Sequence, residues 1–427
     1  MSLEDFQLID NEPIDNSIIK RDFIKIYHQQ GAQLNDPDQN IEFIFGENNN
    51  YHQVGNSYLQ FDITVRKADN LNFNNDDAVN EVIRLVNNAF AHCFKEGVIL
   101  TTGGMEIENI KFVGQVSTVM RALTSKDGDL LSHFDKIDES VGESNNTSLK
   151  HMLINNHTEP ENRGKIKGQL LLEDIFGFCK TFKKITKNLG FHITLKTNNL
   201  QNIIFTTLAN DINVTINSLH LFVPILTPNS ETQVLFNESI KNNYTITFDS
   251  WYTERKIVTD GGEFQVDIAS SQSTNSPKYL IAAHQTEARV GTVNKANNIS
   301  IFDHVDVKKY FVEIDGYRYP KESVITNFTE NDYLDQYRDL KSFYQEYVGE
   351  VLMNPFISYT DMKNKYPIQV IDLRHQIDHI SPKKIQLFEE YKNDPVYNNK
   401  RLYVILIRHK QIEMISDGNK FIEVKVI

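Results

Sequence analysis

Two histidines and an aspartate in one short stretch form the clearest metal-ligand signal in the chain. His375 and His379 stand four residues apart in HQIDH, with Asp378 between them. On a helix this spacing would place both imidazoles on one face, where they could bind a metal such as zinc. The preceding letters, YPIQVIDLR, indicate a strand, Pro382 follows closely, and no third ligand is nearby. We therefore favour surface or interface histidines, and whether the pair binds metal stays open.

The adjacent residues His92 and Cys93 are the types that supply a base and a thiol nucleophile. Adjacent side chains point to opposite faces of a strand and diverge by about 100° on a helix, so this pair could not act together. We interpret Cys93 as a buried thiol and His92 as its polar neighbour, packed between Phe90 and Phe94.

Acidic residues stand close together at several positions, as general acids or calcium ligands would. The pairs are Glu173-Asp174 and Asp127-Asp129, and Asp62 and Asp249 are single candidates for carboxylates that face each other across a cleft. A chain with 57 acidic residues produces such groupings by chance. A phosphate-binding loop, an HExxH helix and a nucleophile elbow are all missing. We therefore assign no catalytic, cofactor-binding or metal-binding residue and predict that the protein is not an enzyme.

The elements around these residues have mainly the two-residue period of half-buried strands. In SYLQFDITVR, apolar residues from Leu59 to Val65 alternate with polar ones, and FHITLK, DINVTIN and NYTITF repeat the pattern. RLYVILIRHKQIEMI holds a continuous apolar run from Leu402 to Ile407, which is typical of a strand covered on both faces. The predicted fold class is all-β.

Short helices and long polar loops interrupt the predicted strands. DDAVNEVIRLVNNAF (76–90) and NDYLDQYRDLKSFYQEYVGEVL (331–352) have apolar residues near helical spacing and predict inserted helices. The stretch TPNSETQVLFNES (227–239) predicts a junction near residues 230–236. A single core usually stops growing at about 250 to 300 residues, so a chain of 427 residues should form two domains.

Composition excludes several classes of protein. The net charge of −13 argues against tight nucleic-acid binding, which depends on many Lys and Arg side chains. Two cysteines, Cys93 and Cys179, cannot build a disulfide framework and fit a reducing compartment. The sequence has no run of 18 apolar residues and no secretory signal, so we expect a soluble, unsecreted protein without a membrane span.

The order and type of these segments resemble the double jelly-roll major capsid proteins of the Polinton, adintovirus and virophage group of DNA viruses and virus-like transposons. The similarity covers residues 40–415 and departs at the hairpin, where the usual Asn-Gly is Gly103-Gly104. The segments that carry it are SYLQFDITVR, LVNNAFAHCFKEGVILTTGGMEI, FVGQVSTVMRALTSKDGD, GKIKGQLLLEDIFGFCKTFKKITKNLGFHITLK, LHLFVPILTP, NYTITFDSWYTERKIV and FVEIDGYRYP.

The resemblance gives the segment that holds the Gly-Gly pair a structural role. Phe90 and Phe94 would anchor a helix or turn beneath the sheet, and residues 98–100 would form a strand that ends in the turn Gly103-Gly104. A second tight turn is expected at Asp315-Gly316.

The resemblance also implies an architecture and an assembly. The chain would fold as two tandem eight-stranded jelly rolls with short inserted helices and long loops: an N-terminal arm (1–40), a first jelly roll (41–232) and a second one with a C-terminal strand (233–427). Three chains would form a pseudo-hexagonal homotrimeric capsomer, and capsomers would tile an icosahedral shell. Penton and minor capsid proteins are the implied partners, and no cofactor is implied. The protein would lie in the virion capsid after assembly in the cytoplasm or nucleus of the host cell.

A second function class uses the same fold. Jelly rolls also occur in lectins, so a carbohydrate-binding protein or a glycoside-processing enzyme is the alternative. A monomer that binds glycans would favour that alternative, whereas a stable trimer would favour the capsid protein.

Overall fold

A computed structural model describes residues 17–29, 33–46, 50–67, 83–126, 164–206, 212–240, 244–258, 262–268, 276–290, 297–350, 355–374, 384–392, 399–416 and 421–426. Its strands are β1 (Ile18–Tyr27), β2 (Asn40–Phe45), β3 (Tyr51–His52), β4 (Tyr58–Lys67), β5 (Ile83–Leu85), β6 (Phe94–Thr101), β7 (Glu106–Lys111), β8 (Lys165–Leu171), β9 (Thr186–Lys187), β10 (Phe191–Thr197), β11 (Ile204–Thr206), β12 (Ile212–Pro228), β13 (Tyr244–Val258), β14 (Glu263–Ile268), β15 (Pro277–Thr286), β16 (Val307–Ile314), β17 (Tyr317–Ile325), β18 (Gln369–Asp372), β19 (Ile385–Tyr391), β20 (Lys400–Ser416) and β21 (Phe421–Val426). Its α-helices are α1 (Val113–Thr124), α2 (Gly177–Thr181), α3 (Ser230–Ile240), α4 (Glu287–Val290), α5 (Leu334–Val348) and α6 (Tyr359–Asn364).

Each half of the chain arranges eight principal strands in the same order. In the first half, β1-β12-β4-β8 form one antiparallel sheet and β2-β10-β6-β7 form the other. In the second half, β13-β20-β15-β18 and β14-β19-β16-β17 occupy the corresponding places. When the eight principal strands of each half are numbered in chain order, the strand orders of the two sheets are 1-8-3-6 and 2-7-4-5 in both halves. Two such sheets packed face to face form a jelly roll, so the fold is an all-β double jelly roll.

The predicted strand periodicity is confirmed where the structure describes it. In β4 the residues Leu59, Phe61, Ile63 and Val65 are fully buried, and their polar neighbours are partly exposed. The apolar run Leu402–Ile407 lies in β20 and is buried on both faces. Its even-numbered residues belong to the core between the two sheets of the second jelly roll, whereas its odd-numbered residues belong to a core shared with the first jelly roll. This shared core explains why the run shows no alternation.

Of the two predicted helices, one is confirmed and one is wrong, and the other described helices were not predicted. Helix α5 (Leu334–Val348) lies within the predicted 331–352 segment. The helix expected over 76–90 is wrong for the described residues, because Ile83–Leu85 pairs with β11 as a strand and Ala89–Cys93 forms a 3₁₀ turn. Tertiary pairing outweighs the local apolar spacing there. Helix α1 was not predicted either. Most of its residues are buried, including the polar Gln115, Ser117 and Thr118, so its polar side does not face solvent.

Strand β1 lies inside the 1–40 range that the sequence assigns to an arm. It pairs with β12 from Ile18 to Tyr27 and is the first strand of the first jelly roll. The domain boundary expected at 232/233 lies within helix α3 (Ser230–Ile240), which connects the last strand of the first half to the first strand of the second.

Candidate assembly site

His92 and Cys93 are structural residues. His92 lies in the buried 3₁₀ turn, with Nε2 3.2 Å from the Thr118 hydroxyl oxygen on α1. That hydroxyl donates to the Gly114 carbonyl at 2.7 Å, so the imidazole must donate to it. Burial lowers the pKa of His92 to about 3 and raises that of Cys93 to about 12. A neutral imidazole beside an un-ionised, buried thiol supports packing and not nucleophilic chemistry.

The segment around this pair folds as the resemblance implied. Phe90 and Phe94 are buried, and their ring centroids lie 4.9 and 5.9 Å from that of Phe61 on β4. Gly103-Gly104 forms the turn between β6 and β7, where Gly104 has φ of +86°. Asp315-Gly316 forms the turn between β16 and β17, and both residues have positive φ.

The acidic candidates have structural partners or lie outside the described residues. Asp174 is buried and binds Arg121 of α1 at 3.0 Å, and Glu173 binds Lys183. Asp127 and Asp129 lie outside the described part of the chain.

The two single carboxylates sit in different halves of the molecule. Asp62 on β4 accepts a hydrogen bond from Asn217 at 3.0 Å, and Asp249 on β13 binds Lys278 at 2.6 Å. Each therefore has a local polar partner, and the arrangement of facing carboxylates that glycoside hydrolysis requires is not supported.

The possible metal ligands His375, Asp378 and His379 lie outside the described residues, so their role stays a prediction. Within the ranges that the structure covers, no group of three or more His, Cys, Asp or Glu side chains could hold a metal ion. None of the described helices is long and apolar enough to cross a membrane.

The contact between the two jelly rolls is the most elaborate polar site in the described part of the chain. Strand β7 and helix α2 of the first half pack against β13 of the second half. Strand β13 pairs with β20 along one edge. The N–H groups of Asp249 and Trp251 instead donate to the first half, to Thr181 Oγ1 at 3.0 Å and to Glu108 Oε1 at 2.5 Å. Side chains of the first half therefore supply acceptors to an edge strand that would otherwise lack them.

Glu108 on β7 is the central residue of this junction. It is only 2% exposed, and its second carboxylate oxygen accepts a hydrogen bond from the Phe178 N–H at 2.9 Å. Burial raises the pKa of Glu108 to about 7, although the N–H groups of Phe178 and Trp251 and the nearby Lys410 ammonium oppose the increase. A single side chain thus joins three elements: β7, α2 and β13.

Further bonds surround Glu108. Lys410 of β20 donates to the Ile107 carbonyl at 2.6 Å, and the N–H of Lys111 donates to Thr253 Oγ1 at 2.8 Å. The indole of Trp251, the single tryptophan of the chain, is buried against Gly177. A Cβ at that glycine would lie 2.7 Å from the indole ring, so only glycine fits there.

Another polar network lies inside the second jelly roll. Glu389 accepts hydrogen bonds from Gln369 at 2.7 Å and from Tyr391, and His284 Nε2 lies 3.1 Å from the same carboxylate. Burial by itself raises the pKa of Glu389, but His284 and the hydrogen bonds outweigh it and lower the pKa below its usual value. The Lys400 ammonium nitrogen lies 3.6 Å from the centroid of the Tyr391 ring. These residues are buried and connect β15 and β18 of one sheet to β19 of the other, so they hold the two sheets together.

Neither polar network was predicted from the sequence. Glu108 stands in the alternating segment MEIENI and looks like a solvent-facing strand residue, although it is buried at the junction. The one available signal was Trp251, a large aromatic residue within the polar stretch FDSWYTER.

The fold and its junction define a class of protein: a chain of two jelly rolls with a common strand order, joined through one buried contact. The family model for the double jelly roll-like domain matches residues 83–412, and the chain belongs to this family. No curated protein matches the sequence.

Solved viral structures are similar in fold along almost the whole chain. A chain of the Sputnik virophage structure has a TM-score of 0.58 and 11% sequence identity, covering 100% of this chain and 92% of that one. The mavirus major capsid protein has a TM-score of 0.54 and 11% identity, with coverages of 100% and 93%. The Faustovirus major capsid protein has a TM-score of 0.54 and 8% identity, with coverages of 92% and 90%.

Proposed function

We propose that this protein is a major capsid protein that forms homotrimeric, pseudo-hexagonal capsomers of an icosahedral viral shell. The observation that carries the proposal is the junction around Glu108, which fixes two jelly rolls of the same strand order in one body. The fold similarity to mavirus and Faustovirus major capsid proteins supports the same role.

The geometry of such a chain suits a hexagonal building block. A rigid chain with two similar rolls supplies two of six corners, so three chains close a ring with a six-cornered outline. Hexagonal outlines can cover a surface without gaps. The shared core and the buried junction keep the angle between the two rolls constant, as repeated identical contacts require.

A structural role also agrees with the chemistry found. A cleft of 660 Å³ lies beside α5, and four of its five carboxylates pair with neighbouring arginines. Within the described residues, His92 and Cys93 are buried in the core, and the carboxylate candidates pair with neighbouring polar side chains. We therefore propose no catalytic activity, and the carbohydrate-binding alternative has no observation in its favour.

The remaining assignments follow from the proposed role. The virion capsid would be the location, with assembly inside the host cell and with penton and minor capsid proteins as partners. The Polinton, adintovirus and virophage group is the proposed lineage, supported by the fold similarity to two virophage structures. We place the start of the first jelly roll at Ile18 and retain a boundary between the rolls within α3. Tight DNA binding is not expected, because the net charge is −13.

Mass measurement tests the proposal directly. We would purify the full-length chain, measure its mass by light scattering on a sizing column and view the peak by negative-stain microscopy. A trimer of about 148 kDa, three times the chain mass of 49.4 kDa, with a hexagonal outline is expected. A monomer at every accessible concentration would refute the proposal, and glycan binding by that monomer would favour the alternative.

A further inference from the structure

Exposed apolar side chains concentrate at two places on the molecule. Of the eleven large ones in the described part of the chain, seven lie on β1, on β17 or at the start of α5. They are Ile18, Ile19, Phe23 and Tyr27 on β1, Tyr317 and Ile325 on β17, and Leu334 on α5. The first place belongs to the first jelly roll, and the second belongs to the second jelly roll.

Strand β1 presents a cationic and aromatic surface. Ile24 and Ile26 pack against the core, so Arg21, Phe23, Lys25 and Tyr27 lie on the opposite side. A cationic group lies over each aromatic ring. Cζ of Arg21 is 5.9 Å from the centroid of the Phe23 ring, and Nζ of Lys25 is 5.0 Å from that of the Tyr27 ring. We call these four residues the β1 face. Among the described residues, β1 pairs with β12 alone, so its other edge has no strand partner.

The second place adjoins the 660 Å³ cleft, which is acidic. Five carboxylates and two guanidinium groups line it, so its net charge is three negative. The carboxylates are Glu322, Asp335, Asp339, Glu346 and Asp372. Strand β17 and helix α5 supply four of the five. We call this feature the acidic cleft.

The contact within the chain provides a template for a contact between chains. Inside one chain, the fifth strand of the first roll (β7) packs on the first strand of the second roll (β13) and supplies acceptors to its open edge. A ring of six similar rolls contains three such contacts within chains and needs three between chains. If the same geometry repeats, the fifth strand of the second roll (β17) meets the first strand of the next copy (β1).

We propose that β17 and the acidic cleft of one copy pack against the β1 face of the next copy, and that three such head-to-tail contacts close the ring. This inference rests on the homotrimer of the proposed function and names its surfaces. The charges are complementary, since Arg21 and Lys25 meet a cleft with an excess of carboxylates. The contact would cover the exposed apolar residues of both places and the open edge of β1.

Charge reversal on each side of the contact tests the proposal. The strand variant carries Arg21→Glu and Lys25→Glu, and the cleft variant carries Glu322→Lys and Asp335→Lys. Each should lose the trimer at concentrations where the wild-type chain forms it, with at least a tenfold rise in the concentration needed for half assembly. The chain that carries all four changes should regain the trimer, because the charges are again complementary. Light scattering gives the mass, and circular dichroism confirms that each variant is folded.

The matched control reverses two charges at the far edge of the same sheet. Lys165→Glu and Lys167→Glu on β8 give the same change in net charge on exposed positions, and this control should assemble like the wild type. A strand variant that remains trimeric with an unchanged half-assembly concentration overturns the proposal while the capsid function stands. A wild-type chain that is monomeric refutes the proposed function itself.

Mixing the two single-sided variants tests the head-to-tail geometry. The intact cleft of the strand variant can bind the intact β1 face of the cleft variant, and the two reversed surfaces are complementary to each other, as in the chain with all four changes. An equal mixture should therefore form alternating complexes of two or more chains, from about 99 kDa upward, twice the chain mass of 49.4 kDa. A closed ring of three would contain one contact between like charges and should not form. A mixture that contains only monomers although both variants are folded would overturn the proposed pairing of surfaces.

Discussion

The buried carboxylate of Glu108 should make the stability of the protein depend on pH near neutrality. Its pKa of about 7 in the folded chain lies above its ordinary value of 4.5. Folding therefore favours the protonated carboxyl. The difference of about 2.5 between the two values is worth about 3 kcal/mol at 1.36 kcal/mol for each pH unit. This contribution is fully present below pH 4.5 and is lost as the pH rises through about 7.

The variant Glu108→Gln isolates this effect, because glutamine has the shape of the protonated carboxyl and does not titrate. We would measure urea unfolding of both chains at equal concentrations between pH 5 and pH 8. From pH 5 to pH 8 the wild type should lose about 2.5 kcal/mol of unfolding free energy relative to the variant, because part of the full difference is already lost at pH 5. Glu106→Gln, an exposed position on the same strand, is the control and should follow the wild type.

Parallel plots of unfolding free energy against pH for the wild type and Glu108→Gln would refute the reasoning. If the stability difference between wild type and Glu108→Gln stays constant within about 0.5 kcal/mol across this pH range, the carboxylate has the same charge in the folded and unfolded states. The hydrogen bonds from Phe178 and Trp251 and the ammonium of Lys410 would then fully offset the effect of burial.

Two further predictions concern the packed turn beneath the first sheet and the buried thiols. Gly114→Ala should destabilise the chain by about 1 to 3 kcal/mol in urea unfolding, because its Cβ would lie 2.3 Å from Nδ1 of His92; unchanged stability would mean that the imidazole can move aside. Cys93 and Cys179 should resist thiol reagents in the folded chain and react after denaturation, since burial raises the pKa of both thiols; rapid labelling of the native protein, followed by mass spectrometry, would contradict their burial.

Alternating strands and tight turns could be predicted from the sequence because their signals are local. The alternation of Leu59 to Val65 fixes which face of β4 is buried, and Asp315-Gly316 has the residue types that a two-residue hairpin turn requires. These signals depend on neighbouring residues alone, so they can be recognised without knowledge of the tertiary structure.

The elements that were missed depend on contacts between distant parts of the chain. Helix α1 is buried on most sides between the two rolls, and its polar residues Ser117 and Thr118 bind partners inside the fold instead of facing solvent. Strand β1 pairs with residues about 200 positions later, and its exposed, charged sequence gives little sign of a sheet. Glu108 could not be identified either, since the donors that it binds come from α2 and from the second half.

The core that runs across both jelly rolls has a consequence for how such chains can be divided and recombined. The odd-numbered residues of Leu402–Ile407 and the Trp251 ring face the first half, so an isolated second half would expose an apolar sheet surface to water. If related genes exchanged one half, the chain would combine two roll surfaces that had not evolved in contact with each other. The two rolls, although alike in strand order, therefore depend on each other's surfaces and should fold as one unit.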